Sequence, residues 1–167
     1  MTPDEEFSQY AGSRWPQLVR SAVFLGARPA DAEDVAQGVL AQVWRSWHRV
    51  SQAEDPDAYV YRMLVNHLNS LRRRRWVGEQ PTDLHTSHAL VDQTAPAPDG
   101  AVTERDQVLR VLAALPAEQR QVLVLRYIAD LSERQAAAAL GVATGTVKSR
   151  ASRGLSAIRT DHLVEES

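Results

Sequence analysis

The sequence predicts an all-α protein: two small helical domains joined by a flexible acidic linker, the C-terminal one a helix-turn-helix. Three observations predict it. Wherever apolar periodicity is strong it has the three-and-four spacing of a helix, and no segment alternates as a strand would. Residues 77–103 interrupt that pattern with Gly78, Pro81, Pro96, Pro98 and Gly100 among acidic and small polar residues, which is linker composition. Near the C-terminus, two short helical patterns meet at a glycine placed where a tight helix-turn-helix requires one.

The chain of 167 residues has room for one medium domain or two small ones. It contains no cysteine, which excludes disulfides, thiolate metal sites and cysteine nucleophiles together. The start, Met1-Thr2-Pro3-Asp4-Glu5-Glu6, is acidic and leads into no signal-peptide-like stretch. No segment approaches the roughly 18 apolar residues of a membrane span. A cytoplasmic protein with no membrane association is the expectation.

Net charge is −2, but its distribution is uneven. Residues 1–60 carry five basic and nine acidic groups, whereas 61–76 carry five basic groups, Arg62 and Arg72 to Arg75, and no acid. Residues 77–107 reverse the sign, with Glu79, Asp83, Asp92, Asp99, Glu104 and Asp106 against Arg105. From Leu131 to Thr160 there are again five basic groups and one acid. Two cationic patches on either side of an acidic strap are the footprint of nucleic-acid contact at two places.

The elements follow in order. Phe7 to Leu25 places Phe7, Tyr10, Ala11, Trp15, Leu18, Val19 and Ala22 on one stripe, with Pro16 a point of bending or restart. Ala27-Arg28-Pro29 is a turn. Asp31 to Val50 is a helix with Val35, Val39, Leu40, Val43, Trp44, Trp47 and Val50 facing the core and an acidic first turn that complements the helix dipole. Ser51 to Asp57 is a loop, and Pro56 opens the next helix. There Val60, Met63, Leu64, His67, Leu68 and Leu71 form the buried stripe. Tyr59, Arg62, Asn66, Asn69 and Arg73 share another face, which Arg72, Arg74, Arg75 and Trp76 extend. Cations beside an aromatic and amides suit phosphates and unpaired bases.

The second domain begins near Glu104, with Val108, Leu109, Val111, Leu112 and Leu115 on one stripe; Pro116 starts a helix whose core residues are Val122, Leu123, Leu125 and Ile128. Ser132-Glu-Arg-Gln135 is a capping box. In a unit starting at Glu133, Ala137, Gly141 and Val147 take the fifth, ninth and fifteenth places: a small residue at the crossing, a residue free to adopt positive φ, and an apolar anchor. In the helix from Thr144 to about Arg159, Val147, Ala151, Leu155 and Ile158 point inward. Thr146, Ser149, Ser152 and Arg153 point outward, flanked by Lys148 and Arg150. Hydroxyls and cations near the start of such a helix are what a major-groove reader requires.

Here the chain resembles a known family. Residues 131–160, LSERQAAAALGVATGTVKSRASRGLSAIRT, following LPAEQRQVLVLR over 115–126, resemble the promoter-binding C-terminal domain of bacterial sigma factors. Residues 32–47, AEDVAQGVLAQVWRSW, and 59–75, YVYRMLVNHLNSLRRRR, resemble their N-terminal core domain. Their order, with no middle domain, resembles the extracytoplasmic-function (ECF) group of the sigma-70 family, in particular its actinobacterial sigma-E-like members.

The resemblance implies region 2 over 1–76, a linker over 77–103, region 4 over 104–160 and a tail over 161–167. It implies polymerase contacts around Asp34, Gln37 and Trp44 with the clamp, a flap contact elsewhere, and opening of the −10 element by the 51–57 loop together with Tyr59, Arg62, Asn66, Asn69 and Arg72 to Arg75. The −35 element falls to Thr144, Thr146, Lys148, Ser149, Arg150, Ser152 and Arg153. Core RNA polymerase, promoter DNA and an anti-sigma factor are the implied partners, with no cofactor, metal or small-molecule substrate. Gly38 departs from the family pattern, which usually has an acid there; it costs about 1 kcal/mol of helix propensity and bears on the local clamp contact rather than on the assignment.

Other readings are weaker. His85 and His88 have metal-like spacing but lie in a loop without further ligands. Gly141 to Gly145 lacks the spacing of a phosphate loop. No carboxylate pair or nucleophile set indicates an enzyme. A stand-alone helix-turn-helix regulator with an N-terminal sensing or dimerisation domain is the alternative, and the linker permits the two domains to pack together or stay apart.

Overall fold

A computed structural model describes residues 1–78 and 103–165, with side chains over 1–74 and 103–160. Among the described residues every regular element is helical. Residues 79–102 of the acidic linker, with His85 and His88, and the side chains of Arg75 and Trp76 lie outside them, whereas the linker's first two residues, 77 and 78, belong to the last helix of the first domain.

The first domain is α1 (Pro3–Phe24), α2 (Pro29–Arg45), α3 (Trp47–Ser51) and α4 (Pro56–Gly78), so the loop expected over 51–57 shortens to 52–55: Ser51 ends α3, and the Asp55 cap starts α4 at Pro56 with Asp57 in its first turn. Helix α1 starts four residues earlier than its apolar stripe suggests, because Thr2 and Glu5 form a capping box: the Thr2 hydroxyl accepts from the Glu5 amide at 3.2 Å, and Glu5 Oε2 accepts from the Thr2 amide at 2.9 Å. The helix runs unbroken through Pro16. One long helix was expected over 31–50; instead the chain breaks at Ser46, which leaves helical geometry at φ −111°, ψ 18°. The break separates two tryptophans that a continuous helix would have set on one stripe. Trp47 is 9% exposed with its ring edge-on to Phe7 at 5.5 Å, whereas Trp44 remains 44% exposed while touching Phe7 at 5.0 Å. Core placement therefore holds for Trp47 and not for Trp44.

Helix α4 buries Val60, Met63, Leu64 and Leu68 as its stripe predicts, with His67 and Leu71 half-buried. Tyr61 and Val65, off that stripe, are buried as well. The reason is packing from several sides, by α1, α2 and α3 and by the second domain.

The second domain comprises α5 (Glu104–Ala113), α6 (Ala117–Leu123), a π-helical turn over Val124–Ile128, α7 (Glu133–Leu140) and α8 (Thr144–Glu165). A capping box between Thr103 and Asp106 starts α5, in which Leu109 and Leu112 are buried but Val108 is 41% exposed, so the expected stripe narrows by one residue. The π turn closes with Ala129 N donating to Val124 O at 2.9 Å, and Asp130 takes a left-handed conformation at φ 60° that aspartate tolerates better than most residues. Helix α8 continues past Arg159 to Glu165.

The two domains pack together, and their buried side chains form one continuous cluster. Helix α7 lies against α4, and the π turn against α1. Gln17 Nε2 donates to the Ile128 carbonyl, Gln121 Nε2 to Asn69 Oδ1 at 3.5 Å, and Gln135 Nε2 to Asp55 Oδ1 at 3.3 Å.

One close approach inside the second domain was not visible in the sequence. A β-carbon added at Gly154 of α8 would stand 2.8 Å from Leu123 Cδ1 and 3.3 Å from its Cγ, so glycine here allows α8 to sit tightly on α6. Overpacking costs about 1–3 kcal/mol, more than the helix propensity gained. Gly154→Ala is expected to lower the stability measured by denaturant unfolding by about 1 kcal/mol. Gly12→Ala, facing open space in α1, is expected to raise it by about 0.5–1 kcal/mol.

Candidate nucleic-acid interface

Helix α8, the second helix of the helix-turn-helix, is oriented by local chemistry. The Ser132 hydroxyl accepts from the Gln135 amide at 3.0 Å, and Gln135 Oε1 accepts from the Ser132 amide at 2.8 Å, which starts α7 at Glu133. Gly141 ends α7 at φ 68°, ψ 35°, a conformation that costs a residue with a β-carbon about 1–2 kcal/mol. The turn then aims α8 so that Val147 is fully buried. Ala151, Leu155 and Ile158 pack at the core's edge.

The opposite face is open. Thr144, Lys148, Ser149, Ser152 and Arg153 are exposed; Thr146 and Arg150 are half-buried. Lys148 lies 3.6 Å from Glu133 and Arg150 3.7 Å from Glu118, loose surface pairs that leave both cations available to a phosphate. The Ser149 hydroxyl donates to the Thr146 carbonyl at 3.1 Å and keeps its acceptor lone pairs. All seven sequence-predicted residues thus lie on or beside one surface at the start of α8.

The polar face of α4 is the second candidate surface. Arg62, Asn66, Arg72, Arg73 and Arg74 are exposed, while Tyr59 and Asn69 are half-buried. The second domain borders it. Arg62 reaches toward the turn at Gly141, and Asn69 accepts from Gln121. Arg72 Nη2 donates to the Leu25 carbonyl at 3.4 Å, and the tips of Arg72 and Arg120 approach the same point beside Gly26. Desolvation lowers the pKa of both guanidinium groups, and the charge of Arg72 lowers Arg120 further.

The loop leading into α4 is anchored from α1, by a constellation the sequence did not reveal. Asp57 accepts from Arg14 at both oxygens, Nε to Oδ1 at 2.8 Å and Nη2 to Oδ2 at 3.1 Å, and from the Tyr10 hydroxyl at 2.7 Å. Arg14 also lies over the Tyr10 ring at 5.0 Å, and that ring meets Trp47 at 5.5 Å. Burial alone would raise the pKa of Asp57; the hydrogen bonds from Arg14 and Tyr10 outweigh it and hold the carboxyl below its ordinary value. Burial and the bond to Asp57 push the Tyr10 hydroxyl up, and the same carboxylate raises Arg14. Asp55 caps α4, accepting from the Ala58 amide at 3.1 Å. Only the aspartates at a helix start hinted at any of this, since partners more than 40 residues away leave no local pattern.

On α2, Asp34, Gln37 and Trp44 are exposed and fall on one side of the helix at helical spacing. Gly38 has a structural reason: a β-carbon there would stand 3.2 Å from Cε1 of His67 on α4, so the imidazole occupies the space a side chain would fill. Among the described residues no group of three or more metal-ligating side chains occurs, and no helix is long and apolar enough to cross a membrane.

The helix-turn-helix thus packs directly beside the cationic, amide-bearing helix α4, and both present exposed polar side chains of the kind that suit DNA contact. Comparison with known proteins makes the class specific. The family model for sigma-70 region 2 matches residues 13–77, and that for sigma-70 region 4 matches residues 105–158. The RNA polymerase sigma-E factor of Streptomyces coelicolor is 35% identical over 93% of this chain and 85% of its own length. The ECF RNA polymerase sigma factor SigL of Mycobacterium tuberculosis is 31% identical over 92% of this chain and 84% of its own. The sigma factor RpoE of Bartonella quintana, solved with the anti-sigma factor NepR, superimposes with a TM-score of 0.72 at 25% identity, covering 93% of this chain and 96% of that one. CnrH, solved with the cytosolic domain of CnrY, has the same fold, with a TM-score of 0.69 at 23% identity over 98% of this chain and 91% of that one. The chain belongs to the sigma-70 family and is an ECF RNA polymerase sigma factor of the actinobacterial sigma-E-like group. Its function is transcription initiation.

The Asp57 anchor has a pH signature. Because the folded pKa lies below that of the unfolded chain, the anchor's contribution to stability is complete above the unfolded value, about pH 4, and is lost as pH falls through the folded value. Asp57→Asn is expected to flatten the acid limb of stability below about pH 4 and to leave the slope above pH 6 unchanged, as read by thermal unfolding across that range.

Proposed function

We propose that the two domains divide promoter recognition: region 2 over 1–76, linker over 77–103, region 4 over 104–160 and tail over 161–167. The start of α8, with Thr144, Thr146, Lys148, Ser149, Arg150, Ser152 and Arg153, reads the duplex −35 element by base-edge and phosphate contacts. The polar face of α4, with Tyr59, Arg62, Asn66, Asn69 and Arg72 to Arg75, together with the 51–57 loop, takes up unpaired bases of the −10 element. Asp34, Gln37 and Trp44 meet the polymerase clamp, and region 4 the flap. Initiation then proceeds in the cytoplasm with no catalytic residue in this chain.

The observation that carries this reading is that both cationic faces are open on helices whose other sides are sunk in core. Taking a base out of the stack costs a few kcal/mol. Stacking contributes about 1–3 kcal/mol per base, so an aromatic with amides and arginines is of the right magnitude to offset it. No nucleotide hydrolysis enters, because preferential binding of the unpaired strand shifts the equilibrium by itself. Asn69, held by Gln121, has to leave that partner to reach a base. The similar solved structures contain the anti-sigma factor NepR or the cytosolic domain of CnrY. A protein inhibitor of that class is the regulatory partner proposed here.

Run-off transcription with core polymerase on genomic promoters tests the reading. Initiation that depends on this chain is the expected result; repression or simple occupancy contradicts it. Within that assay, Arg153→Ala is expected to weaken −35 binding by about 1–3 kcal/mol, roughly five- to 150-fold. Asn66→Ala is expected to spare duplex binding and reduce opening.

A further inference from the structure

We propose that Tyr10 and Arg14 are positioning residues for promoter opening: acting through Asp57, they hold the 51–57 loop and the first turn of α4 in the geometry that captures an unpaired base. The proposal deepens the reading given above and rests on it.

The loop joins α3 to α4 and has little to hold it. Gln52 and Glu54 are exposed, and within the loop Asp55 supplies the cap of α4. The rigid attachment at its end is Asp57, in the first turn of α4, which receives three charge-assisted or hydroxyl hydrogen bonds, all from one face of α1 and all between 2.7 and 3.1 Å. A bidentate guanidinium–carboxylate pair fixes orientation as well as distance. The Tyr10 hydroxyl adds a third direction, so the carboxylate cannot rotate about its own axis. Two residues later, Tyr59 begins the polar face of α4. A shift of the first turn therefore moves Tyr59 directly, and a displacement of about 1 Å is enough to cost a hundredfold where geometry decides the outcome.

The anchor also ties this loop to the surface around Trp44. Trp44 touches Phe7, Phe7 touches Trp47, and Trp47 touches Tyr10, with ring centroids 5.0, 5.5 and 5.5 Å apart. Phe7, Tyr10 and Arg14 lie on one side of α1 at helical spacing. Helix α1 is thus the common support of the two surfaces assigned to polymerase and to the melted strand. The second domain grips the same loop from the other side, through Gln135 on Asp55 and Arg134 on Glu54 at 3.2 Å. The latter pair is fully solvated and weak, so the α1 anchor sets the loop's position when the domains separate.

The test uses holoenzyme assembled from core polymerase and the full chain, on a promoter identified by run-off transcription. Two quantities are read: affinity for a single-stranded oligonucleotide carrying the non-template −10 sequence, and affinity for duplex carrying the −35 sequence. Tyr10→Phe keeps the ring on Trp47 and removes only the hydroxyl. It is expected to weaken single-strand binding about threefold, and Arg14→Ala about tenfold, with duplex binding and core association unchanged. The exchange Arg14→Asp with Asp57→Arg is expected to recover part of the loss, which a general folding defect would not allow. Loss of both affinities together, unaltered single-strand binding in both single variants, or no recovery on exchange overturns the proposal. A wild-type holoenzyme that fails to bind the single strand overturns instead the assignment of the loop to base capture.

Discussion

Helix α4 can keep a polar, cationic face exposed only because its opposite side is anchored in core. Val60 and Leu64 are almost entirely buried against α2 and its neighbours, and that burial is worth roughly 1.5–3 kcal/mol per large side chain. An amphipathic helix with four arginines in succession would otherwise repel itself and fray. Apolar burial on one side thus sets the register that gathers Arg62, Asn66, Arg73 and Arg74 on the other. The same logic holds for α8, where Val147 is the buried anchor and the residues around it are turned outward.

The packing of the two domains adds a second constraint. Helix α7 serves both as the scaffold of the helix-turn-helix and as a partner for α4, and its capping residue Gln135 shares its amide with Asp55. The seam is not uniformly favourable. Arg72 and Arg120 converge beside Gly26 with no carboxylate between them among the described residues, and each is partly stripped of water. Like charges at a partly desolvated seam oppose closure, while the apolar contacts and amide bonds around them favour it. An interface balanced in this way is held by less than its full apolar contact would give.

Much of this was legible in sequence where the signal is local. The capping box at Ser132, the left-handed Gly141 and the anchor Val147 follow from spacing and backbone chemistry, and so does the buried stripe of α4. The signals failed where distant residues decide. Trp44 and Trp47 share a helical stripe on paper, but the break at Ser46 turns one inward and leaves the other exposed. Val108 has the spacing of a core residue and lies at a surface. Tyr10, Arg14 and Asp57 meet across more than 40 residues, and Gly154 matters only because Leu123 faces it. Apolar periodicity shows which side of a helix is inward; it does not show which other helix that side will meet.

The central claim is that this chain opens DNA by holding unpaired bases on α4 while α8 marks the duplex. Permanganate reactivity of thymines, mapped on one promoter with core polymerase present and nucleotides absent, tests it most directly. The account predicts reactive thymines confined to the −10 element, appearing only with this chain and lost when the −35 sequence is scrambled. Protection at −35 with no reactive thymine downstream, or reactivity that needs a hydrolysable nucleotide, would contradict it.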